Sequence, residues 1–503
     1  MRLLRLYIDN YRVLRKLDLR FDPLMPQDNP QRNYHLDFLV GVNGTGKSTV
    51  LRLLARIFRG VTVSFAELNN LPFVLEYYRE TDNKTIYIAN IRRNSDGKIE
   101  YLERYFIRTI DGLHTTYEIE DSDEEHLKDV VEPTLLPERI IAYTTGSEDE
   151  WLNQDPFSLL DSQPFQLKMT AEERVIQEMP GWNGKQTDEP EGEEKRFRFL
   201  RQSQLTLLAL AGLLLHQTEQ PSPLTNVLKQ VNLQGLAGFS LQFNLAYASA
   251  NERNQIWQRL GQHASRAIRS GGRVLLVFQP DTFAKLLEEN GSALDLFEQL
   301  ADWYSQESPL LTKVNLFLEH AKSGAPLHTW EWLSDGERSF LGRMCLFMLF
   351  GEVESLILLD EPEVHFNDYW KRHIVNTIHQ VLTGKNKPHR SHLLIATHSS
   401  ISLSDVPKED VMVLERPNVL TNTMNMPSIQ TFGADPSEIM VHVFGAPHAM
   451  GEYSVTEVQQ WLSEAAQKPQ KERREFLDDK LKRVSPGYWA YRIRREMVGL
   501  PQQ

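Results

Sequence analysis

The sequence predicts an α/β fold assembled from two stretches of chain that lie far apart and are separated by an inserted region. The first observation is an apolar strand, Leu36 to Val40, that runs into a glycine-rich loop and then a helical pattern. The other two are continuous apolar runs, Ser355 to Leu359 and Leu393 to Ala396, as strands buried on both faces require. At 503 residues, more than one packed unit is expected.

Alternation of apolar and polar residues marks strands in the first part of the chain. Leu4, Leu6 and Ile8 alternate with polar residues, and a second alternating run reaches Phe21 after a short turn. This pattern predicts an antiparallel pair of strands. Further strands are predicted at Phe73 to Tyr77, Thr85 to Ile91 and Arg139 to Tyr143.

The loop at residues 41–49, GVNGTGKST, has the pattern of a phosphate-binding P-loop at every required position. Its glycines let the backbone curl so that N–H groups converge on a β-phosphate, while Lys47 would reach the β and γ oxygens. Ser48 would bind Mg²⁺. An accidental glycine-rich turn is the weaker alternative, because a strand and a helix flank the loop correctly. The predicted ATP-binding residues are Asn43, Gly44, Thr45, Gly46, Lys47, Ser48 and Thr49.

Two carboxylates, Asp360 and Glu361, follow the apolar run that begins at Ser355. Ligands of open α/β sheets bind at the carboxyl ends of such strands. Asp360 is therefore predicted to hold Mg²⁺ through water, and Glu361 to orient and deprotonate the attacking water. Taken alone, the pair could equally be acids at the start of a helix.

The run Leu393 to Ala396 leads into Thr397 and His398. A single histidine at a strand end is usually a structural residue. Here one helix-length crossover separates this strand from the one that ends in acids, so the two strands should be neighbours. His398 is predicted to reach the γ-phosphate.

The string LSDGE at residues 333–337 precedes a strongly apolar helix, Phe340 to Phe350. A serine at a helix start with free backbone amides forms an anion site, and the anion here would be a γ-phosphate contributed from elsewhere. Taken alone, the string is an ordinary helix cap. Its position just upstream of the acid-ended strand favours the functional interpretation for Ser334, Asp335, Gly336 and Glu337.

These motifs, in this order, resemble the ABC ATPase superfamily. The opening Ile8 to Arg12 and the run Glu361 to His365 further resemble its soluble branch, which includes chromosome-maintenance, DNA-repair and overcoming-lysogenization-defect ATPases. The resemblance implies an ABC-type P-loop ATPase head that uses ATP and Mg²⁺. It also implies a homodimer, or a higher oligomer built from it, in which Ser334 and Gly336 of one head close over the ATP held by Lys47 of the other.

One departure from the superfamily concerns its glutamine loop, which senses Mg²⁺ and the attacking water. No glutamine occurs between Leu51 and Asn153. The loop Thr144 to Ser147, directly after the strand Arg139 to Tyr143, is the candidate substitute.

A finer resemblance rests on three strings, LPERIIAYTTG at 136–146, LSDGE at 333–337 and TFGADPSEI at 431–439. They look like the ATPase subunit of Septu-type antiphage defence systems, which is also found beside certain retrons. In that family the ATPase works with a separate HNH endonuclease. The resemblance therefore implies an HNH endonuclease as a partner, with retron RNA or DNA or another nucleic acid as a further one.

The organisation of the chain follows from composition. Residues 183–195 are dominated by Gly, Pro, Asp and Glu, which is typical of a flexible connection. Beyond it, helices are predicted near 204–217, 250–268 and 282–306, and strands at 239–245 and 274–278. The predicted units are an N-terminal lobe at 1–182, a mostly helical α+β insertion at 183–329, a C-terminal lobe at 330–445 and a helical, basic tail at 446–503. Sustained heptads are absent from the sequence, which argues against a long coiled coil.

Composition limits the setting of the protein. The single cysteine, Cys345, cannot form an internal disulfide, and no apolar run approaches the ~20 residues of a membrane span, so a cytoplasmic protein without membrane contact is expected. The net charge of −13 excludes coating of nucleic acid by bulk electrostatics. A local basic face remains open, and Lys468 to Arg495 is a candidate, with a solvated helix face as the alternative.

Three functions fit these observations: a regulatory ATPase that gates a partner nuclease in phage defence, a self-contained overcoming-lysogenization-defect-like nuclease, and a DNA-repair or recombination ATPase. The second would need a Toprim domain, with a strand-end glutamate and a spaced Asp-x-Asp pair. After His398, only Glu415 ends a strand, and Asp478 and Asp479 are adjacent. The sequence therefore favours the first function, and the third stays open.

Overall fold

The computed structural model describes residues 1–21, 34–63, 68, 71–93, 99–114, 126–148, 151, 196–246, 248–305, 309–322, 324, 327–383 and 390–498. The predicted flexible connection at 183–195 lies outside these ranges. Within them the chain forms three β-sheets with helices packed against them. The predicted α/β class is confirmed.

A seven-stranded sheet forms the centre of the head. Its order is β18-β17-β3-β16-β15-β8-β9, and all neighbours are parallel except the edge strand β18. Every residue of β3, β15 and β16 is buried, and in β3 this includes Asp37, whose carboxylate lies 2.7 Å from His392 Nε2 of β16. The strands are β3 His35–Val40, β8 Arg139–Thr144, β9 Phe197–Leu200, β15 Ser355–Asp360, β16 His392–Ala396, β17 Val411–Asn418 and β18 Thr421–Asn425.

A six-stranded antiparallel sheet lies at the N-terminal side, in the order β2-β1-β4-β5-β6-β7. The predicted antiparallel pair at the start of the chain is confirmed as β1 and β2. Strand β6 escaped prediction because only Tyr105 and Phe106 of its residues are buried and they are adjacent, so the strand shows no apolar alternation. The strands are β1 Arg2–Tyr11, β2 Leu14–Arg20, β4 Phe73–Arg79, β5 Lys84–Arg93, β6 Ile99–Asp111 and β7 Leu127–Lys128.

The described helices are numbered here in chain order. They are α1 Lys47–Val63, α2 Leu205–Thr218, α3 Leu224–Gln230, α4 Ala250–Arg259, α5 Pro280–Asn290, α6 Ala293–Ser305, α7 Asp335–Phe350, α8 Asp368–Thr383, α9 Ser400–Leu403, α10 Pro436–His442, α11 Glu452–Ala466, α12 Gln470–Leu481 and α13 Tyr488–Val498. None of them is long and apolar enough to cross a membrane.

Two hydrophobic cores cover the two faces of the central sheet. Leu356 and Leu358 of β15 belong to the core that contains α1, whereas Ile357 and Leu359 belong to the core that contains α7. Alternate residues of one strand thus enter different cores, which explains why a buried parallel strand has no polar positions. This packing places the carboxyl ends of β3, β8, β15 and β16 at one edge of the sheet.

The insertion holds the third sheet, which is five-stranded and antiparallel in the order β11-β12-β10-β13-β14. The helix predicted at 250–268 is wrong in its second half, because α4 ends at Arg259 and β11 follows. The helix predicted at 282–306 is two helices, since Gly291 adopts φ 86° and interrupts it. The strands are β10 Leu233–Asn244, β11 Arg266–Ser270, β12 Arg273–Phe278, β13 Leu311–His320 and β14 His328–Thr329.

Helix α2 of the insertion packs closely on α7 of the head. A Cβ added at Gly212 would lie 2.4 Å from the Sγ atom of Cys345, so only glycine permits this approach. Burial raises the pKa of the Cys345 thiol, which agrees with a packing role for this residue. The helices α11 to α13 have a small core of their own, formed by Val458, Ala465, Leu477 and Ile493. The predicted limits of the four units stay a prediction.

Candidate active site

The phosphate loop leaves β3 in a conformation that only glycine allows at two positions. Gly41 has φ 146° and Gly46 has φ 110°. A Cβ at Gly41 would lie 2.3 Å from the carbonyl oxygen of Leu414, and one at Gly46 would lie 2.6 Å from Leu14 Cδ2. The glycines therefore let the loop pass between β17 and β2 and enter α1 at Lys47.

Lys47 is buried against the loop that precedes it. Its Nζ donates to the carbonyl oxygens of Gly41, at 2.9 Å, and Val42, at 3.3 Å. Burial lowers its pKa to about 8, although Glu361 and Asp360 act in the opposite direction. The ammonium group is thus held at the loop, next to both predicted carboxylates.

A buried asparagine supports the phosphate loop from the edge strand β18. The Asn422 side chain donates to the carbonyl oxygen of Thr45 at 3.2 Å and accepts from the backbone N–H of Arg15 at 2.8 Å. Thr45 also closes the loop on itself, because its Oγ1 donates to the Val42 carbonyl at 2.9 Å. Sequence reasoning missed Asn422, since its position 377 residues away carries no local signal.

Ser48 and Asp360 are in contact, as two ligands of one ion would be. Ser48 Oγ lies 2.9 Å from Asp360 Oδ1, and Thr144 Oγ1 lies 3.4 Å from Asp360 Oδ2. Burial raises the pKa of Asp360 to about 6, with the Ser48 hydrogen bond opposing this effect. A buried carboxylate beside a hydroxyl supplies the hard oxygen atoms that Mg²⁺ prefers, so these residues fit the ion.

Glu361 has an unusual backbone, with φ 50° in the left-handed region. Such a conformation costs about 1–3 kcal/mol for a residue other than glycine. Three hydrogen bonds hold it: its N–H donates to the Ala396 carbonyl at 2.8 Å, and its carbonyl accepts from Thr145 Oγ1 at 2.8 Å and from the Val364 N–H at 3.2 Å. The side chain is 40% exposed. The strained turn thus directs the carboxylate of Glu361 away from the strand, toward solvent.

His398 lies beside Glu361, as the neighbouring positions of β15 and β16 require. Its Nε2 atom lies 3.6 Å from Glu361 Oε1. Burial, and then the charge of Lys47, lower the pKa of His398, whereas Glu361 acts in the opposite direction. The ring of Phe444 lies nearly parallel to the imidazole at a centroid distance of 6.0 Å. The neutral imidazole is therefore favoured near pH 7.

The loop that sequence reasoning named as a glutamine-loop substitute lies against both acids. Thr144 Oγ1 contacts the Asp360 carboxylate, and Thr145 Oγ1 donates to the Glu361 carbonyl. In addition, the N–H of Thr145 donates to the Asp360 carbonyl at 3.3 Å. The N–H of Gly146 donates to Thr144 Oγ1 at 3.0 Å. The loop thus contacts the carboxylate of Asp360 and the backbone of Glu361, and its role as a substitute stays a prediction.

The signature residues do not join this cluster within the chain. Ser334 caps its own helix: its Oγ accepts from the Glu337 N–H at 3.3 Å and donates to Glu337 Oε2 at 2.8 Å. Gly336 lies against His365, whose carbonyl oxygen would be 3.2 Å from an added Cβ. Across the part of the chain that the structure describes, no hydrogen bond or ion pair links residues 334–337 to the phosphate loop.

A buried polar chain behind the site escaped sequence reasoning. Arg343 of α7 is fully buried, donates to Tyr143 Oη at 2.9 Å, and lies 4.9 Å from the ring centroids of Tyr143 and Phe366. Its charge is attracted by buried Glu363, which accepts a hydrogen bond from Thr397. The sequence signal that could have identified it is an arginine inside an otherwise apolar helical segment. This chain connects the signature helix to the residue directly before His398.

Residues 38–405 match the family model described as "AAA domain, putative AbiEii toxin, Type IV TA system". This range includes most of the phosphate-loop strand, the two acids and His398. The chain belongs to this family. The motifs and the fold of this family member are therefore those of a P-loop ATPase.

Individual proteins match this AAA protein less well than the family model does. The sequence match is shorter, and the structural matches have low TM-scores. Protein ea59 of Escherichia phage lambda is 33% identical over 91 residues, so the match spans 18% of this chain and only 16% of ea59. The SMC head domain from Thermotoga maritima is similar with a TM-score of 0.34 and 10% identity, over 85% of this chain and 100% of that one. The recombination mediator RecF, in its RecF-ATPrS structure, has a TM-score of 0.28 and 13% identity, over 84% and 97%. Both TM-scores are low, so neither likeness informs function.

Proposed function

We propose that the protein is an ATP-hydrolysing switch whose heads dimerise head to tail around ATP and Mg²⁺. In this proposal the dimer controls a nuclease on a separate chain within a bacterial antiphage defence complex. The observation that carries the ATPase part is the convergence of Lys47, Asp360 and Glu361 at one sheet edge, with Ser48 bonded to Asp360. The reaction would convert ATP and water into ADP and phosphate.

Each group of the cluster has a distinct task in this proposal. The N–H groups of the phosphate loop and Lys47 bind the β and γ phosphates. Ser48 and Asp360 hold Mg²⁺, which neutralises phosphate charge when it is bound. Glu361 orients a water molecule and accepts its proton, and neutral His398 contacts the γ-phosphate.

The head-to-tail arrangement is supported by the position and bonding of the signature residue Ser334 at the start of α7. Among the described residues, the Ser334 side chain is bonded only to Glu337 of its own helix cap, and this helix start is the surface that would meet a phosphate from another head. Apolar side chains around the site are also exposed: Trp332 by 63%, Val42 by 57% and Val364 by 49%. Burial of such groups stabilises an interface by roughly 25 cal/mol per Å² of apolar surface.

We expect two inactive variants to restore activity to each other when they are mixed. Lys47→Ala removes the phosphate contact of one surface, and Ser334→Arg blocks the opposite surface. A mixed dimer then contains one intact composite site and one site that carries both changes. Equal amounts should recover up to about a quarter of wild-type ATP hydrolysis, since half of randomly paired dimers are mixed and each has one of two sites.

The control for this experiment is the mixture of Lys47→Ala with Lys47→Met, which contains no intact site. Formation of mixed dimers is followed with two different affinity tags. If tagged mixed dimers form in ATP and the Lys47→Ala and Ser334→Arg mixture stays inactive, the head-to-tail arrangement is wrong.

The nuclease partner is the finer part of the proposal, and its support is the Septu-like strings of the sequence. Candidate docking surfaces are the insertion and the tail that contains Tyr488, Trp489, Tyr491, Arg492 and Arg494. Tyr488 and Tyr491 are exposed by 59% and 58%, whereas Trp489 packs against the small core of the tail. Exposed aromatic residues are enriched at binding hot spots, which favours the two tyrosines.

The purified chain is expected to leave DNA and RNA intact with Mg²⁺ or Mn²⁺, and to co-purify with the product of an adjacent gene. The double variant Tyr488→Ala with Tyr491→Ala should lose that co-purification while it keeps ATP hydrolysis. Nuclease activity of the isolated chain, abolished by mutation of one of its own carboxylates outside the ATP site, would instead show a self-contained nuclease.

A further inference from the structure

The insertion carries a group of arginines that the ATP site does not use. Residues 250–278 contain five arginines and a single acid, Glu252, although the whole chain has a net charge of −13. One of the five, Arg259, donates to Gln299 of α6 at 2.7 Å. The other four lie on α4, on β11 and on β12, and they are Arg253, Arg266, Arg269 and Arg273.

These four arginines keep their charge unneutralised. Among the residues that the structure describes, no carboxylate forms an ion pair with any of them. The basic tail differs, because Lys468 pairs with Glu464 at 3.0 Å and Arg473 pairs with Glu496 at 3.7 Å. The insertion therefore carries a group of positive charges without carboxylate partners in a chain that is acidic overall.

We name β11, β12 and the turn between them the arginine hairpin, residues 266–278. Strand β11 is at the edge of its sheet, and all five of its residues are exposed. Cross-strand pairing places Ser270 opposite Arg273, and Arg273 opposite Asn244 of β10. In the next row, Leu275 lies opposite Gln242, which faces Lys313 of β13. Since paired residues share a face, this side of the sheet carries Arg266, Arg273 and Lys313 among neutral polar and apolar residues.

The opposite side of the hairpin borders a cleft of about 490 Å³. Trp257 of α4 lines it and is 43% exposed, and the Arg269 guanidinium lies 5.2 Å from the indole centroid. Arg253 and the two turn glycines lie at the same cleft. Leu245, Ile256, Val274 and Leu276 provide its apolar wall. An exposed indole beside guanidinium groups is a surface on which a planar base stacks.

We propose that the arginine hairpin, together with Trp257 and Arg253, binds single-stranded nucleic acid. Phosphates contact the arginines on both sides of the edge strand, and one base enters the cleft and stacks on Trp257. A duplex offers phosphates but no free base face, and an acidic peptide offers neither a base nor a regular phosphate spacing. This proposal does not depend on ATP hydrolysis, because none of its residues belongs to the ATP site.

The test measures binding of fluorescently labelled oligothymidylate, oligouridylate and a duplex, each about 20 units long, which exceeds the typical site size of a single binding module. Trp257→Leu should weaken single-strand binding about tenfold and leave its salt dependence unchanged. The double variant Arg266→Gln with Arg273→Gln should lower the slope of log K against log salt by about 1.4, or 0.7 for each lost phosphate contact.

Arg259→Gln is the matched control, because this neighbouring arginine is held by Gln299 and should not affect binding. All variants must keep the thermal melting midpoint and the ATP hydrolysis rate of the wild type. Tighter binding of oligothymidylate, of oligouridylate or of both than of the duplex supports the proposal. No binding of either single strand overturns it. If Trp257→Leu has no effect, the proposal is also overturned by equal binding of the duplex or by displacement of the oligonucleotide by polyglutamate.

Discussion

Replacement of Lys47 by alanine is expected to abolish measurable ATP binding. Lys47 Nζ is fixed between two loop carbonyls and is the cation nearest to the position of the phosphates. Hydrogen bonds to charged groups contribute about 1.5–3 kcal/mol each. The variant would lose one such bond to each of the β and γ phosphates, so the Kd for ATP should rise at least about 100-fold. Titration calorimetry with ATP and Mg²⁺ measures the effect.

Lys47→Met is the matched variant for this prediction, because it keeps the apolar stem that is buried beside the loop and removes only the charge. Both variants should lose binding equally, while their melting midpoints stay close to that of the wild type. Wild-type affinity in Lys47→Met would show that another group binds the phosphates, and the assignment of the loop would fail.

Replacement of Glu361 by glutamine is expected to preserve ATP binding and to slow hydrolysis at least about 100-fold, the usual contribution of a general base. The amide keeps the shape of the carboxylate but cannot accept the proton of the water. The strained turn should survive, because all three hydrogen bonds that hold it involve the backbone of Glu361. Neutral His398 can still bond to an amide at the observed 3.6 Å separation after a small shift.

Trapped ATP should then hold two heads together, so Glu361→Gln is expected to elute as a dimer in ATP and Mg²⁺. Light scattering during size-exclusion chromatography measures this state, and phosphate release measures turnover. Glu415→Gln is the matched control: this carboxylate also lies on a strand of the central sheet, but it is bonded to Asn425 and should not affect hydrolysis. Normal turnover by Glu361→Gln would mean that a different group activates the water.

Much of the site could be predicted because its parts are local. The phosphate loop needs glycines between a strand and a helix, and both neighbours show their own periodicity. The acids and His398 each end an apolar strand, and the crossover rule makes these strands neighbours. Parallel pairing of β15 with β16 confirms that inference.

Prediction failed where a residue acts through a distant contact. The hydrogen bond from Asn422 to Thr45 joins β18 to the phosphate loop, and no local sequence pattern signals it. Arg343 was counted as part of an apolar helix, although it is bonded to Tyr143, 200 residues away. The helix predicted at 250–268 is wrong in its second half, where β11 follows. This edge strand has five exposed residues and lacks the apolar alternation that marks a strand.

By itself, the sequence determined the class of fold, the pattern of the phosphate loop and the order of the chemical motifs. These properties depend on residue types at short, fixed spacings. Only the tertiary structure decided that Glu361 adopts a left-handed backbone, that Thr144 and Thr145 touch the acids, and that Asn422 supports the phosphate loop. The physical reason is that such features arise from hydrogen bonds and packing between segments whose separation in the chain carries no periodic signal.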